Sequence, residues 1–157
     1  MDGSMNKRWQ DSYTEQVQIL MPEHINGASR LFGGKLLAWI DVVAAVTARR
    51  HSGCDVTTAC VDHLQFLAPA HMNDTVLLTG KITWTGRTSM EVRVDTYTET
   101  RGVRKHVNRA YLVMVAIDEN ENPAPVPGLV LETEEDKAEW QAAEGRKAER
   151  NKKRAEG

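Results

Sequence analysis

From Lys35 to Arg50 the chain carries no Gly or Pro, and its apolar residues return at the three- and four-residue spacing of a helix. The pair Gly33-Gly34 immediately before this run marks the helix entry. Leu36, Leu37, Trp39, Ile40, Val43, Ala44, Val46 and Thr47 cover most of the circumference, which predicts a core helix rather than a surface amphipath. Asp41 lies in its middle, and no basic residue stands three or four positions away to pair with it. An ionised carboxylate among apolar neighbours costs several kcal/mol unless it is paired or solvated from a cleft. Asp41 therefore lies either on a wet edge of the helix or in a site. It follows Gly34 by about two turns, so both are on nearly the same side, roughly 10 Å apart along the axis. The first N–H groups of a helix have no partner inside it, and that end attracts negative charge.

Around this helix the pattern changes to strands. Thr14–Leu20 alternates polar and apolar residues and ends at Met21-Pro22, where a loop carrying Asn26 leads to the glycines. Asn is common in such loops because its side chain bonds to nearby backbone. After a turn at His51–Asp55, strands are expected at Val56–Leu67, Thr75–Trp84, Thr88–Tyr97 and His106–Ile117, with a tight turn at Thr85–Arg87. In the third of these, Met90, Val92, Val94 and Thr96 alternate with Glu91, Arg93, Asp95 and Tyr97, so one face is expected on the core and one in water. The last is apolar on both faces from Tyr111, as a central strand is. One early helix with four strands in hairpin order after it and a fifth before it argues for an α+β domain, an antiparallel sheet around the helix.

Composition limits the function classes. The 157 residues, 41% hydrophobic, suffice for one modest core. Twenty basic against 22 acidic residues leave a net charge of −2, without a global field for nucleic acid or an anionic membrane. Cys54 and Cys60 fit neither a disulfide framework nor a common zinc spacing, so reduced thiols and a cytoplasmic protein are expected, without a bound metal. The chain is divided into a polar, flexible leader at 1–13, a domain at 14–131 and a charged tail at 132–157, read as an exposed, solvated helix, with contact of its basic end, Arg146–Arg154, to nucleotide phosphates or another acidic group as the alternative. Asp62 is read as a structural hydrogen-bonding group, and Cys60 as a small core residue rather than a nucleophile.

Several spaced motifs, in order, carry a family resemblance. Met21-Pro22, Asn26, Leu31-Phe32-Gly33-Gly34 and Leu36-Leu37 with Trp39-Ile40-Asp41 are followed by VDHLQFLAP at 61–69, GRTSMEV at 86–92 and AYLVMVAID at 110–118. Together they resemble the hotdog-fold acyl-CoA thioesterases of the cytosolic acyl-CoA hydrolase type. Ser29 and Arg30 stand where that family usually carries a second Gly and a polar residue. The resemblance implies a hotdog fold, with an antiparallel sheet wrapped around one long central helix. It also implies hydrolysis of fatty acyl-CoA to free fatty acid and CoA. No cofactor is implied, since CoA is part of substrate and product. A homodimer follows as well, assembled further into a hexamer as a trimer of dimers, with Asn26 of one subunit facing Asp41 of the other; neither nucleic acid nor membrane is a partner.

The chemistry assigns each step a group. N–H groups at Gly33 and Gly34 hold the oxyanion, Asp41 acts as general base or nucleophile, and Asn26 orients water or thioester. Gly86, Arg87, Thr88 and Ser89 are expected along the pantetheine arm, with Arg101, Arg104 and Lys105 as further candidates for its phosphates. Two alternatives remain. One is a hotdog protein that binds or senses acyl-CoA without turnover. The other is a dehydratase or hydratase, for which His24 is the only histidine near the loop.

Overall fold

The computed structural model describes residues 6–156, the side chain of His63 excepted. Two α-helices and five strands follow one another as β1 (Thr14–Ile19), α1 (Gly33–Ser52), β2 (Asp55–Phe66), β3 (Thr75–Thr85), β4 (Ser89–Thr100), β5 (Val103–Ile117) and α2 (Glu134–Glu156). All strand pairs are antiparallel, in the order β1-β3-β4-β5-β2. The α+β expectation holds, but the hairpin order does so only for β3-β4-β5. β2 crosses to the far edge and pairs with β5, so Asp55 is opposite Ile117 and Phe66 opposite Asn108.

α1 begins at the glycine pair and stops at Gly53, whose left-handed φ of 71° lets its N–H return to the Arg49 carbonyl at 2.8 Å. Its buried stripe is Leu36, Ile40, Val43, Ala44, Thr47, Ala48 and His51, packed with Val76, Leu78, Ile82, Met90, Val92, Val94, Leu112 and Met114 of the sheet. The helix comes so close at Gly80 that an added Cβ would lie 2.5 Å from Thr47 Oγ1 and 2.9 Å from Val43 Cγ1. The expected burial around most of the circumference is not found in the protomer. Leu37 and Val42 are exposed, Val42 by 54%, and they flank Asp41 on an open face.

The other face of the sheet is not in water either, contrary to the alternation read from β4. Glu91 and Asp95 are each 1% exposed. The reason is α2, which the sequence suggested was solvated. Arg146 binds both carboxylate oxygens of Glu91 at 2.8 Å, Arg93 joins Glu139, and Arg150 reaches Asp62 at 2.5 Å. Trp140 packs on Trp84 with ring centroids 5.9 Å apart, and Arg146 stacks 3.6 Å from the Tyr111 ring centroid. A helix with so few apolar residues is thus seated by charge complementarity with a sheet face of matching charges.

The described part of the leader is also docked rather than free. Lys7 exchanges backbone hydrogen bonds with Gly128 and Val130, and Trp9 lies beneath the Lys81 ammonium, 4.5 Å away. Residues 1–5 lie outside the described residues.

Candidate active site

Asp41 sits on the open face of α1, half-buried, and its partner comes from a different element: Thr58 Oγ1 donates to Asp41 Oδ1 at 2.6 Å. That distance belongs to a charge-assisted hydroxyl–carboxylate bond. It fixes one carboxylate oxygen and leaves the other for a water or a substrate atom. Thr58 was not singled out from sequence, because a threonine in a strand is ordinary. The clue was indirect: Asp41 had no partner on its own helix.

At the start of α1, Phe32 is the N-cap and supplies no side-chain cap. Its carbonyl accepts from Lys35 at 3.0 Å and Leu36 at 3.1 Å, while the N–H groups of Gly33 and Gly34 have no acceptor among the described residues. The two glycines do not adopt left-handed backbone angles. At Gly34 a Cβ would meet only the far end of the exposed Phe32 side chain, 2.8 Å from Cε1, which can turn aside, and nothing lies within 4 Å of that position at Gly33. The helix entry is therefore open to an approaching group, with two unpaired donors at its positive end.

Asn26 closes its own loop. Its Oδ1 accepts from Ala28 N–H at 2.9 Å and Arg30 N–H at 3.2 Å. Two backbone donors converge on that atom, so it is the oxygen, and the side-chain NH2 is the group left to donate elsewhere. Asn26 lines a cleft of about 420 Å³ with Leu31, Leu36, Phe66, Leu67 and Pro69. In the register Phe66 lies opposite Asn108 and Thr58 opposite Met114, six residues apart on β5, which separates Phe66 from Thr58 by roughly 20 Å at ~3.3 Å per residue. Within one chain, then, Asn26 and the Asp41–Thr58 pair are not brought together.

Gly86–Ser89 forms the β3–β4 turn, with Gly86 N–H on the Ser89 carbonyl at 2.8 Å. Its outer backbone is engaged: the Thr88 carbonyl accepts from Ala116, and the Arg87 carbonyl from Val126. Ser89 lines a smaller pocket against α2. Arg101, Arg104 and Lys105 lie at the opposite end of the β4–β5 hairpin, roughly 35 Å along the strands, and Arg104 pairs with Glu99 at 3.3 Å.

The remaining titratable groups near the site have structural partners. Asp62 accepts from Arg150 and from Cys60 Sγ, and burial, together with Asp62, pushes the Cys60 thiol up, away from thiolate reactivity. His24 Nδ1 accepts from Met21 N–H at 2.9 Å, and its ring meets the Trp39 ring edge-on. Among the described residues no group of three or more His, Cys, Asp or Glu is placed to hold a metal, and no helix is long and apolar enough to cross a membrane.

Known proteins with this geometry are related in sequence. A family model described as the thioesterase superfamily matches residues 29–105. An uncharacterized acyl-CoA thioester hydrolase of Bacillus subtilis (strain 168), YkhA, is 38% identical over 128 residues, which cover 80% of this chain and 74% of that protein. An apo-hexameric acyl-CoA thioesterase superposes with a TM-score of 0.91 at 39% identity, covering 96% of this chain and 97% of the other. An acyl-CoA hydrolase of Staphylococcus aureus, solved in complex with butyryl coenzyme A, coenzyme A and coenzyme A disulfide, superposes with a TM-score of 0.90 at 31% identity over 96% and 93% of the chains. That enzyme has also been solved with an Asp, a Thr or an Asn replaced by Ala, the Asn variant with coenzyme A bound. Those three positions are spaced along its chain as Asp41, Thr58 and Asn26 are here. With its curled antiparallel sheet, its central helix and these relatives, the chain belongs to the hotdog-fold thioesterase superfamily, as one of its acyl-CoA thioester hydrolases.

Proposed function

We propose that this protein hydrolyses fatty acyl-CoA to a free fatty acid and CoA at a site shared by two protomers, with Asp41 as general base. The observation that carries the reading is the Thr58–Asp41 bond on an otherwise apolar open face. It gives the carboxylate a fixed orientation while leaving one oxygen for the attacking water. As water adds to the thioester carbonyl, its proton passes to Asp41, and negative charge grows on the carbonyl oxygen. The unpaired N–H groups of Gly33 and Gly34 meet that oxygen, the kind of preorganised donors whose removal costs ~3–4 kcal/mol of barrier. Collapse of the tetrahedral adduct expels CoA thiolate, whose thiol pKa near that of cysteine, about 8.5, makes it a competent leaving group. The Asn26 NH2 donates to the water or the thioester, since its oxygen is engaged in the loop. No cofactor enters the reaction.

A second copy resolves the separation of Asn26 from Asp41. Leu37 and Val42 of α1 are exposed, and exposed Val61, Leu64 and Phe66 follow Thr58 along the edge strand β2, apolar residues that a symmetric partner would cover. Asn26 and the helix entry of one protomer then face Asp41 and Thr58 of the next. The hexameric relative supports a trimer of such dimers. We place the protein in the cytoplasm, in keeping with free thiols at Cys54 and Cys60.

The test is thiol release from acyl-CoAs of rising chain length by wild type, Asn26→Ala and Asp41→Ala. Each variant should lose most of the rate while retaining CoA binding. Refolding the two variants together should restore activity, because the mixed dimer rebuilds one complete site. A mixture as inactive as its parts would refute the shared site. Binding of acyl-CoA without thiol release by wild type would favour a sensor.

A further inference from the structure

The loop that carries Asn26 closes on Arg30 and uses the whole backbone of that residue. Asn26 N–H donates to the Arg30 carbonyl at 2.8 Å, and Arg30 N–H donates back to Asn26 Oδ1 at 3.2 Å. Arg30 also forms a backbone bridge with His71, and the next residue, Leu31, gives its N–H to the Ala70 carbonyl at 2.9 Å. Ser29, just before it, holds a left-handed φ of 61°, which residues with a Cβ seldom adopt. The main chain at Arg30 is thus fixed from both sides, and its side chain is the uncommitted part. Arg30 lines the cleft of about 420 Å³ beside Asn26. Apart from these two residues the lining is apolar: Leu31, Leu36, Phe66, Leu67, Val107 and the segment 68–70. Arg8, Arg93, Arg104, Arg109, Arg146 and Arg150 each have a carboxylate partner, whereas the Arg30 guanidinium has none among the described residues. A guanidinium keeps its charge at any working pH. A plain hydrocarbon chain gains nothing from such a charge and would strip water from it.

The direction of the thioester decides which of its two arms meets Arg30. In the site proposed above, the Gly33 and Gly34 N–H groups hold the carbonyl oxygen and Asn26 donates to the thioester, at the end of the protomer where the cleft lies. The turn 86–89, expected along the pantetheine arm, is at the other end of the strands: Ser89 lies opposite Val115 and Thr58 opposite Met114, whereas Phe66 of the cleft lies opposite Asn108. CoA then leaves the thioester on the Asp41–Thr58 side, and the acyl group extends into the cleft. Arg30 stands three residues before Gly33, at most roughly 11 Å along the chain, so its charge meets the far end of a short acyl group.

We propose that Arg30 selects acyl groups that end in a carboxylate, as in the CoA monothioesters of short dicarboxylic acids, by pairing its guanidinium with that carboxylate in the cleft. The inference rests on the hydrolysis proposed above and narrows its substrate from fatty acyl groups in general to these. The guanidinium fork matches a carboxylate through two parallel N–H···O bonds, and the apolar walls keep water from competing. Arg30 acts on the far end of the acyl group and not on the reacting atoms, so it determines specificity without entering the chemistry.

The experiment measures thiol release from hexanoyl-CoA and adipoyl-CoA, which differ only in a terminal methyl against a terminal carboxylate. Wild type is compared with Arg30→Gln and Arg30→Glu, and affinity for free CoA is measured by calorimetry. The side chain is exposed and both substitutions keep the backbone N–H that holds Asn26, so folding should be preserved, checked by thermal denaturation. Wild type should favour adipoyl-CoA by about 10-fold or more in kcat/KM. Arg30→Gln should lose that preference and Arg30→Glu should invert it, with CoA affinity unchanged. A wild type that does not prefer adipoyl-CoA overturns the proposal, as does a preference that survives in Arg30→Gln. An equal loss on both substrates with weakened CoA binding overturns it too, because Arg30 would then meet the phosphates of CoA. If wild type releases no thiol from either substrate, hydrolysis itself is refuted, and the affinities of wild type and Arg30→Gln for the two acyl-CoAs still decide whether Arg30 binds the carboxylate.

Discussion

Replacing Thr58 by Val keeps the shape and β-branching of the side chain and removes only the hydroxyl that Asp41 accepts from. The O···O distance of 2.6 Å lies within the charge-assisted range, where one bond contributes ~1.5–3 kcal/mol. Thr58 is exposed in the protomer, so the lower part of that range, about 1.5–2 kcal/mol, is the proper expectation. If the bond acts by aiming Asp41 at the water, the loss belongs to the transition state. At ~1.36 kcal/mol per decade, kcat should fall roughly 10- to 30-fold with little change in KM. Initial rates of thiol release across a range of acyl-CoA concentrations measure both constants. Thr58→Ser, which keeps the hydroxyl, should remain within a few fold of wild type. The reasoning fails if Thr58→Val matches wild type, because Asp41 then needs no orienting partner. It fails equally if Thr58→Ser is as slow as Thr58→Val, because packing against Met114, 3.5 Å from the hydroxyl, would then be the cause.

Arg146→Met should destabilise the fold by about 3–5 kcal/mol, read by chemical denaturation, because it leaves Glu91 unpaired at 1% exposure; adding Glu91→Leu should recover most of the loss. Gly80→Ala should cost about 1–3 kcal/mol, since its Cβ would meet Thr47 and Val43 of α1, and Thr47→Ala in the same chain should relieve part of it. His51 gives a pH dependence. Burial lowers its pKa below 6.5, with the Pro127 carbonyl 2.8 Å from Nε2 opposing the shift. The unfolded chain therefore binds the proton more readily, so His51's contribution is present above about pH 6.5 and is lost as pH falls through the window between 6.5 and the lowered folded value. Melting temperatures should fall across that window in wild type, and less steeply in His51→Gln.

How much of this could be read from the sequence depended on whether the determinant was local. α1 and the strands were legible because their periods are local properties of the chain, and the glycine pair located the helix entry. The position of β2 was not, because pairing with β5 instead of β3 is a contact between residues far apart in sequence. Thr58 was hidden for the same reason: it matters only once β2 lies alongside α1. The error over α2 has a different origin. A run of charged residues reads as solvated, yet Asp136, Glu139, Trp140, Ala143, Arg146 and Arg150 keep helical spacing, and Glu91, Arg93 and Asp95 present alternating charges on β4. Complementary charge stripes mark both elements, in place of the apolar stripe that ordinarily marks a packed helix face.

The same open face that makes the protomer incomplete also explains how a carboxylate is tolerated at Asp41. Alone, Asp41 keeps access to water between exposed Leu37 and Val42, and its one fixed partner is Thr58. Under the proposed second copy that apolar surface becomes dry, and an ionised Asp41 would carry a desolvation cost of several kcal/mol, reduced by the Thr58 hydroxyl and by donors brought by the other protomer. Association then raises the strength of every electrostatic contact at the site, including those of the Gly33 and Gly34 N–H groups with a forming oxyanion. In the proposed arrangement assembly and catalysis are linked through one residue. Asp41→Leu should strengthen dimerisation while abolishing hydrolysis, measured by the concentration dependence of sedimentation beside thiol release. A dimer weakened by that change would mean that Asp41 stabilises the interface instead of burdening it, and the site would have to lie on some other surface.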